Sequence, residues 1–270
     1  MQVVLCCMAK NEHLYINDFV EFYRKIGFDK IYIFDNDELN THHISSCIKN
    51  KDKVIIKDIR GMKYEKLQQF VYTHFYKMYK FDWCLFCDVD EFLFGIDDIH
   101  KFLSDEKFND YDQIRIKWKL FGDDDLVERD MNKPVYEIFS HEVKSSLNRN
   151  LIDKGNLEIQ GKAIVRGGID NVVITSPHFA SLRKRNNILK SCLPSGKPCE
   201  SQVVIYEDYS NESVFLHHYM TKTISEFVNQ KLNRNDAVYN KKLTMDYFWR
   251  INKKTKDKID FLKKNHLLYN

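Results

Sequence analysis

The sequence has 270 residues, of which 43% are hydrophobic and 30% charged. This composition is typical of a folded globular protein and excludes a largely disordered chain. The length allows one large domain, or one domain with a helical extension. The formal net charge is only +3 at pH 7, which by itself does not indicate a nucleic-acid-binding protein.

The seven cysteines, an odd number, are scattered along the sequence, which favours a reduced, intracellular protein. Cys84 and Cys87 have CxxC spacing, but residues three apart on a predicted strand face opposite sides, so we expect no shared zinc ion. The sequence opens with an apolar run at 3–7, soon followed by charge at Lys10, and this fits neither a signal peptide nor a membrane span. We therefore expect a cytoplasmic protein whose membrane contact, if it has one, is peripheral on the inner face.

Strands and helices are predicted to alternate over the first hundred residues. Apolar runs predict strands at 3–8, 31–34 and 54–56, and apolar residues at helical spacing predict helices at 16–26 and 63–79. A fourth strand begins at Trp83. This order favours an α/β fold with a mostly parallel central sheet flanked by helices.

The later part of the sequence is predicted to mix further strands with helices. A short helix is expected at 99–103, strands at 113–120, 159–165 and 172–174, and a weaker strand at 203–206. From Thr223 onward the pattern is helical and basic.

Residues 83–94 form the most informative stretch, because an apolar run is interrupted there by Asp88, Asp90 and Glu91. An unpaired buried carboxylate is strongly disfavoured, so a positive group is expected to meet them. On a strand, Asp88 and Asp90 would point to the same side, where two oxygen ligands could hold Mg²⁺ or Mn²⁺ bearing a diphosphate. The alternative is a solvated Asp-rich turn, against which the apolar flanks argue.

Polar residues follow three of the predicted strands. They are Lys10-Asn11-Glu12, Asp35-Asn36-Asp37 and Asp88-Val89-Asp90. Ligands of α/β sheets bind beyond the carboxyl ends of the strands, so the coincidence of the three sets predicts a ligand site at one edge of the sheet.

A second acidic run, Asp123-Asp124-Asp125, follows Gly122 after the predicted strand at 113–120. It could supply a catalytic base. Glycine followed by aspartates is also ordinary turn chemistry, and the residues alone leave both interpretations open.

Four motifs, in order along the sequence, carry a resemblance to a known family. They are Cys-Met-Ala-Lys-Asn-Glu at 7–12, Gly-Phe-Asp-Lys-Ile-Tyr-Ile-Phe-Asp-Asn at 27–36, Asp-Val-Asp-Glu-Phe-Leu at 88–93, and Leu-His-His-Tyr-Met-Thr-Lys-Thr at 216–223, followed by Glu226-Phe227, Lys231 and Arg234. Together they resemble nucleotide-sugar glycosyltransferases of the GT-A fold, most of all the family 92 and family 2-like branch. Thr223 stands where that branch usually has Ser.

The resemblance implies a GT-A fold, a Rossmann-like central sheet with a C-terminal helical segment, and a set of donor-site residues. The nucleotide would be held by Ala9, Asn11, Glu12 and Asp35. Asp90 would bind the metal directly, and Asp88 would contact the ribose, the donor sugar or the metal. His218, rather than His217, would complete the metal shell, and Lys222 would lie close to the diphosphate.

These residue types suit the chemistry that the resemblance implies. A nucleoside diphosphate leaves readily only when its developing charge is neutralised, which a divalent ion and Lys222 would do without a proton transfer. Carboxylates with an imidazole suit Mn²⁺ especially well, with Mg²⁺ as the alternative. A histidine in this setting could equally be an ordinary core or surface residue, and the motif context favours the ligand role for His218.

Inverting transfer also needs a carboxylate that deprotonates the acceptor hydroxyl. The candidates are Asp123, Asp124, Asp125 and Glu91, of which Asp124 is favoured. The family pattern usually has small residues after Gly122, so the aspartate run departs from it. Lys162 and His178 also resemble positions of the family and could line the donor or acceptor pocket or be structural.

The expected function is an inverting, metal-dependent hexosyltransferase that moves galactose, the favoured sugar, from UDP-galactose to a surface glycan or a lipid-linked glycan. A nucleotidyltransferase acting on a sugar phosphate is one alternative, although no GxxxxGK[ST] loop is present. A non-catalytic sugar-binding module is another. The intact Asp88, Asp90, His218 and Lys222 argue against the second alternative.

The expected domain organisation is a glycosyltransferase domain over 1–222, with a nucleotide-binding half at 1–95 and an acceptor-side half at 96–222, followed by a basic helical segment at 223–270. Between 253 and 264 this segment carries six lysines among apolar residues. Such a helix could lie on an anionic membrane, where lipid-linked acceptors are found. The favoured alternative is a helix packed on the catalytic domain with a solvated basic face.

Overall fold

The computed structural model describes residues 1–143, 161–176, 178–182, 189–199, 209–232 and 242–267. Its strands are β1 (Val3–Ala9), β2 (Lys30–Asp35), β3 (Val54–Asp58), β4 (Trp83–Phe86), β5 (Glu91–Phe94), β6 (Gln113–Leu120), β7 (Gly161–Arg166), β8 (Val172–Ser176), β9 (Phe179–Leu182), β10 (Ser191–Cys192) and β11 (Phe215–His218). Its helices are α1 (Ile16–Lys25), α2 (Leu67–Met78), α3 (Ile99–Leu103), α4 (Val135–Ile138), α5 (Ile224–Gln230), α6 (Met245–Trp249) and α7 (Lys256–Lys264).

Among the described residues, nine strands form one sheet in the order β3-β2-β1-β4-β7-β6-β11-β5, with β10 paired to β6. The pairs β3–β2, β2–β1, β1–β4 and β6–β10 are parallel, whereas β7 runs antiparallel to both of its neighbours. The prediction of an α/β fold with a mostly parallel central sheet flanked by helices is confirmed.

The first βαβ unit shows why the sequence folds in this way. β1 is buried along almost its whole length, so it lies in the middle of the sheet and needs no polar face. The apolar residues of α1 recur at helical spacing, and Phe19, Val20 and Tyr23 on one face are fully buried. The helix therefore covers the sheet as the periodicity predicted.

The acidic stretch differs from the prediction of a continuous strand. β4 ends at Phe86, residues 87–90 form a turn, and β5 begins at Glu91. The turn is closed by the amide of Glu91, which donates to the carbonyl of Asp88 at 3.1 Å, while the amide of Asp88 donates to the Glu91 carboxylate at 3.0 Å. The strand argument that aligned Asp88 with Asp90 was therefore wrong.

Two other predicted elements are placed differently. α2 begins at Leu67 rather than at 63, after Lys66 in a left-handed conformation with φ of 59°. The strand predicted at 172–174 is confirmed as β8, but it pairs with β9 in a separate two-stranded sheet. The strand predicted at 203–206 lies outside the described residues.

The chain divides into two compact units, which differ from the expected boundary at 222/223. The first consists of Met1–Trp118 with the described part of Asn148–Leu216, and the second of Lys119–Leu147 with His217–Asn270, as far as these are described. The core of the second unit contains Ile224, Phe227, Phe248 and Leu262. The C-terminal helices thus share a core with one another, against which Val127 also packs, and the expected domain organisation stays a prediction.

Within the second unit, α7 is anchored to the segment that follows β6. The ammonium of Lys258 lies 2.6 Å from Asp123 and 3.0 Å from Asp125. Leu262 is buried in the core, whereas Lys256, Lys263 and Lys264 are exposed. Among the described residues, no helix combines the length and the apolar character that crossing a bilayer requires.

Candidate active site

The loops that follow β1 and β2 lie side by side at the carboxyl edge of the sheet. Ala9 and Asp35 are register partners, and the amide of Asn36 donates to the carbonyl of Ala9 at 2.8 Å. Asn11 adopts φ of 58°, and its amide donates to Asp37 Oδ1 at 2.6 Å. Two of the three predicted polar sets therefore form one connected rim.

Asp35 is fully buried in this rim. Its carboxylate accepts hydrogen bonds from the amides of Ile44, at 3.1 Å, and Asp37, at 3.3 Å. His43 Nδ1 lies 3.5 Å away. Glu12 contributes its carbonyl to the start of α1, where it accepts from the amides of residues 15 and 16. Both side chains thus occupy the predicted edge, and their nucleotide contacts stay a prediction.

The acidic turn carries a cation of its own. Lys162, fully buried on β7, places Nζ 2.7 Å from Asp88 Oδ2 and 3.6 Å from Glu91 Oε1. On the other side, Gln68 Nε2 of α2 donates to Asp88 Oδ1 at 2.8 Å. Asp88 is therefore held from two elements, and the positive group expected beside the carboxylates includes a lysine of the chain itself.

Tyr72 joins the acidic turn to the end of β1. Its hydroxyl accepts from the amide of Met8, at 3.3 Å, and from Gln68 Nε2, at 3.2 Å, and it donates to the carbonyl of Cys87 at 3.3 Å. Burial raises the pKa of the Tyr72 phenol, and the charge of Asp88 raises it further. The hydroxyl therefore stays protonated and fixes the spacing between two of the three predicted polar sets.

The carboxylates of the turn differ in their surroundings. Asp88 is 37% exposed, Asp90 is nearly buried, and Glu91 is fully buried. Burial raises the pKa of Glu91 well above its usual range, and Lys162 opposes that rise. For Lys162 burial lowers the pKa, but the charges of Asp88 and Glu91 outweigh it, so the net direction is upward. Lys162 is accordingly a fixed positive charge.

The site's own residues meet the requirements of a divalent metal only in part. Asp88 and Asp90 offer the oxygen ligands that Mn²⁺ and Mg²⁺ prefer. Both Asp88 oxygens, however, already accept hydrogen bonds, from Lys162 and Gln68. No group of three or more His, Cys, Asp or Glu side chains within the described ranges is arranged to hold a metal ion. The metal roles of Asp88, Asp90 and His218 stay predictions.

In the second unit, two of the base candidates, Asp123 and the favoured Asp124, are bound to structural partners. Asp123 is buried against Lys258, and its backbone amide donates a hydrogen bond to Asn252 Oδ1 at 2.8 Å. Asp124 accepts from the amide of Ser140 at 2.8 Å and from the amide of His141 at 3.2 Å. These contacts tie the segments 123–125, 140–141 and 252–258 together.

The ionisation of these aspartates follows from their partners. Burial raises the pKa of Asp123, and Lys258 opposes it without cancelling it. For Asp124 burial would also raise the pKa, but the hydrogen bonds from Ser140 and His141 outweigh it and lower the pKa. A carboxylate with a lowered pKa is a weaker base. The catalytic roles of Asp123, Asp124 and Glu91 stay predictions.

The C-terminal motif forms a buried corner of the second unit. His218 and Lys222 are buried, Lys222 has φ of 54°, and Thr223 begins α5 with a capping box in which Glu226 is the partner. Glu226 also accepts from Arg129 Nε at 2.8 Å. The threonine that replaces the usual serine therefore keeps its capping hydroxyl.

His217 differs from His218 in its surroundings. Its ring lies 4.6 Å from the Phe121 ring between centroids. Burial lowers the pKa of His217 to about 4, with a smaller effect of Lys119, so the ring is neutral at physiological pH. His178, the other histidine with a family likeness, has Nδ1 3.1 Å from the Gly161 carbonyl and packs edge-on against Trp118. Arg234 lies outside the described residues.

The sequence did not identify three residues of this site. Gln68 and Tyr72 lie on α2, whose apolar spacing shows only that one face of the helix is buried. The spacing does not indicate that side chains of this face contact the acidic turn. Asp37 was noted as part of a polar set but not assigned a role, although it is fully buried and holds Asn11. A long-range hydrogen bond of this kind leaves no trace in local spacing.

No protein-family model matches the sequence, and no curated protein matches it. Among solved structures, the chain is similar to TarS of S. aureus. The structure of TarS 1–349 has 15% identity and a TM-score of 0.36, and its match covers 62% of this chain and 47% of that one. TarS 1–349 in complex with UDP-GlcNAc has 16% identity and a TM-score of 0.36, covering 62% and 45%. The complex with UDP has 16% identity and a TM-score of 0.37, covering 62% and 47%.

The chain therefore spans less than half of the TarS chains that it matches.

Proposed function

We propose that this chain is a nucleotide-sugar glycosyltransferase of the GT-A type, in the family 92 and family 2-like branch whose motifs it carries. The observation that supports this best is the junction at Tyr72, where the end of β1 and the acidic turn after β4 are held by one hydroxyl. Ligands of α/β sheets bind at this edge. The rim formed by Asn11 and Asp37 borders the same edge.

Each part of the site has a proposed task. The rim of Ala9, Asn11, Glu12 and Asp35 holds the nucleotide. Asp90, with Asp88 and His218, is proposed to hold Mn²⁺ or Mg²⁺, which when bound would supply charge neutralisation for the departing diphosphate. Lys222 is proposed to support the same charge. Lys162 orients Asp88, so that the donor meets a carboxylate of fixed position.

The proposed reaction is inverting transfer of a hexose from a UDP-sugar, UDP-galactose first, to a surface-glycan or lipid-linked acceptor, on the cytoplasmic side. A carboxylate takes the proton of the acceptor hydroxyl as its oxygen attacks the anomeric carbon. Asp124 is the first candidate for this base, and Asp123 and Glu91 are the other candidates. The lowered pKa of Asp124 makes a direct comparison of the three necessary.

The test is release of UDP from a panel of UDP-sugars, with and without Mn²⁺, Mg²⁺ or a chelator. Metal-dependent release of UDP from one donor is expected. Release of pyrophosphate from a sugar phosphate and UTP would identify a nucleotidyltransferase instead. Binding of a sugar without any turnover would identify a non-catalytic module.

Variants then separate the roles. Asp90→Ala is expected to abolish turnover while the thermal melt stays within a few degrees, and retained turnover would remove the metal assignment. His218→Ala is expected to weaken metal dependence more than His217→Ala does, and equal effects would overturn the choice of His218.

Three further variants, Asp124→Asn, Asp123→Asn and Glu91→Gln, compare the base candidates. The base is the residue whose substitution removes sugar transfer but leaves the affinity for UDP unchanged.

A further inference from the structure

The outer surface of α2 exposes an unusual amount of apolar side chain. Phe70 is 58% exposed and Met78 65% exposed. Tyr64, which precedes the helix, is half exposed and lies 5.7 Å from Phe70 between ring centroids. The His74 ring is nearly parallel to the Phe70 ring, with an interplanar angle of 8° and 6.1 Å between the ring centroids. These rings form a continuous exposed row.

Further exposed apolar residues lie on the segment after β2 and on the loop before α2. Leu39 is 75% exposed and lies over Gly61, where an added Cβ would come within 2.9 Å of Leu39 Cγ. Met62 is the next residue and is also exposed. Of the eight large hydrophobic residues that are exposed within the described chain, five belong to this region: Leu39, Met62, Tyr64, Phe70 and Met78.

The same surface is rimmed by cations. At about 100° per residue, Phe70, His74 and Lys77 fall within an arc of about 60° on one side of α2, and Lys66 directly precedes the helix. All four are exposed. The acidic Glu38 at the edge is neutralised by Lys10, at 3.2 Å, and Lys63, at 2.8 Å. Between residues 61 and 78 Glu65 is the one acid, against Lys63, Lys66 and Lys77, so lysines dominate the charge of this segment.

We propose that this surface, Leu39, Met62, Tyr64, Lys66, Phe70, Lys77 and Met78, is a docking site for an anionic lipid bilayer. Aromatic and aliphatic side chains on one face of a helix, flanked by lysines, are the pattern of a helix that lies in the membrane interface. Each lysine near an anionic leaflet adds attraction. α2 has 12 residues, fewer than the roughly 20 that a span needs, so the contact is superficial.

The surface lies opposite the site on the same helix. Gln68 and Tyr72 project from the inner side of α2 toward Asp88 and Cys87, whereas Phe70 and Lys77 project outward. The proposal does not depend on sugar transfer. It also differs from membrane contact through the C-terminal segment, because Leu262 of α7 is buried in its own core and the exposed residues of α7 are charged or polar.

The experiment is sedimentation of the full chain with vesicles of phosphatidylglycerol and phosphatidylcholine, or of phosphatidylcholine alone. Preferential binding to the anionic vesicles is expected. Phe70→Ser with Met78→Ser is expected to lower the partition coefficient about tenfold or more, since each side chain loses its apolar burial. Lys66→Glu with Lys77→Glu is expected to have an effect of about the same size.

The matched control is Lys256→Glu with Lys264→Glu on α7, which is expected to change binding less than about twofold. Phe70→Trp provides an independent readout, because its fluorescence should be quenched by brominated lipid. The proposal is overturned if the wild type shows no preference for anionic vesicles, or if only the α7 variant loses binding. It is also overturned if Phe70→Ser with Met78→Ser binds like the wild type. Binding would then depend on charge alone, as it would for any polyanion.

Discussion

Lys162 Nζ lies 2.7 Å from Asp88 Oδ2, in a direct ion pair between the start of β7 and the acidic turn after β4. The lysine is fully buried, while the aspartate is 37% exposed. Solvent therefore reaches the carboxylate of the pair but not its ammonium group. Glu91, 3.6 Å from the same ammonium, is fully buried behind it. Two of the three acids of the turn therefore share one buried cation of β7 before any ligand binds.

Lys162→Met is expected to destabilise the protein by about 1–3 kcal/mol, because it removes the counter-charge of buried Glu91 and of Asp88, whose 37% exposure lets solvent screen part of the loss. The free energy of unfolding from urea titration measures this. The double variant Lys162→Met with Asp88→Asn is the control, since it also removes the repulsion between the Asp88 and Glu91 carboxylates. Its loss should be smaller than the sum of the single losses by about 1 kcal/mol or more, and strict additivity would contradict the coupling.

The sheet and the first helices could be predicted because each is encoded by a local apolar pattern, as in β1 and α1. The acidic turn could not, because its conformation is set by the bond between Glu91 and the amide of Asp88, which a strand pattern does not reveal. The ion pair of Lys162 joins residues 74 positions apart. The sequence placed both residues near the site but could not assign the contact.

Tyr72→Phe is expected to weaken nucleotide binding as well as stability. The hydroxyl connects Met8, Gln68 and Cys87, and its loss leaves buried polar groups unsatisfied, at a cost of about 1–3 kcal/mol. Tyr76→Phe on the same helix is the matched control, because the Tyr76 hydroxyl donates to the Arg166 carbonyl at 2.7 Å. Both variants should lose stability in urea, but only Tyr72→Phe should raise the Kd for UDP in calorimetry. Equal UDP affinities would refute the bridging role.

Lys258→Met is expected to cost about 3–5 kcal/mol, since it leaves the buried Asp123 uncompensated. Lys256→Met is the control two residues away. Lys256 is 88% exposed and its pair with Asp260 is on the surface, so its loss should stay within about 0.5 kcal/mol. Thermal melts of both variants measure the difference. Similar melting temperatures would show that α7 is not held by Asp123.

His217 is expected to make the protein less stable in mild acid. Its pKa is lowered to about 4 in the folded state by burial, whereas an unfolded histidine titrates near 6.5. Between about pH 6.5 and 4 the unfolded state therefore binds the extra proton, and the free energy of unfolding falls as the pH falls. His217→Phe, which keeps a ring beside Phe121, removes this contribution. Between urea titrations at pH 7 and pH 5, the free energy of unfolding should fall less for His217→Phe than for the wild type. Identical decreases would mean that the His217 ring is solvated in the folded state.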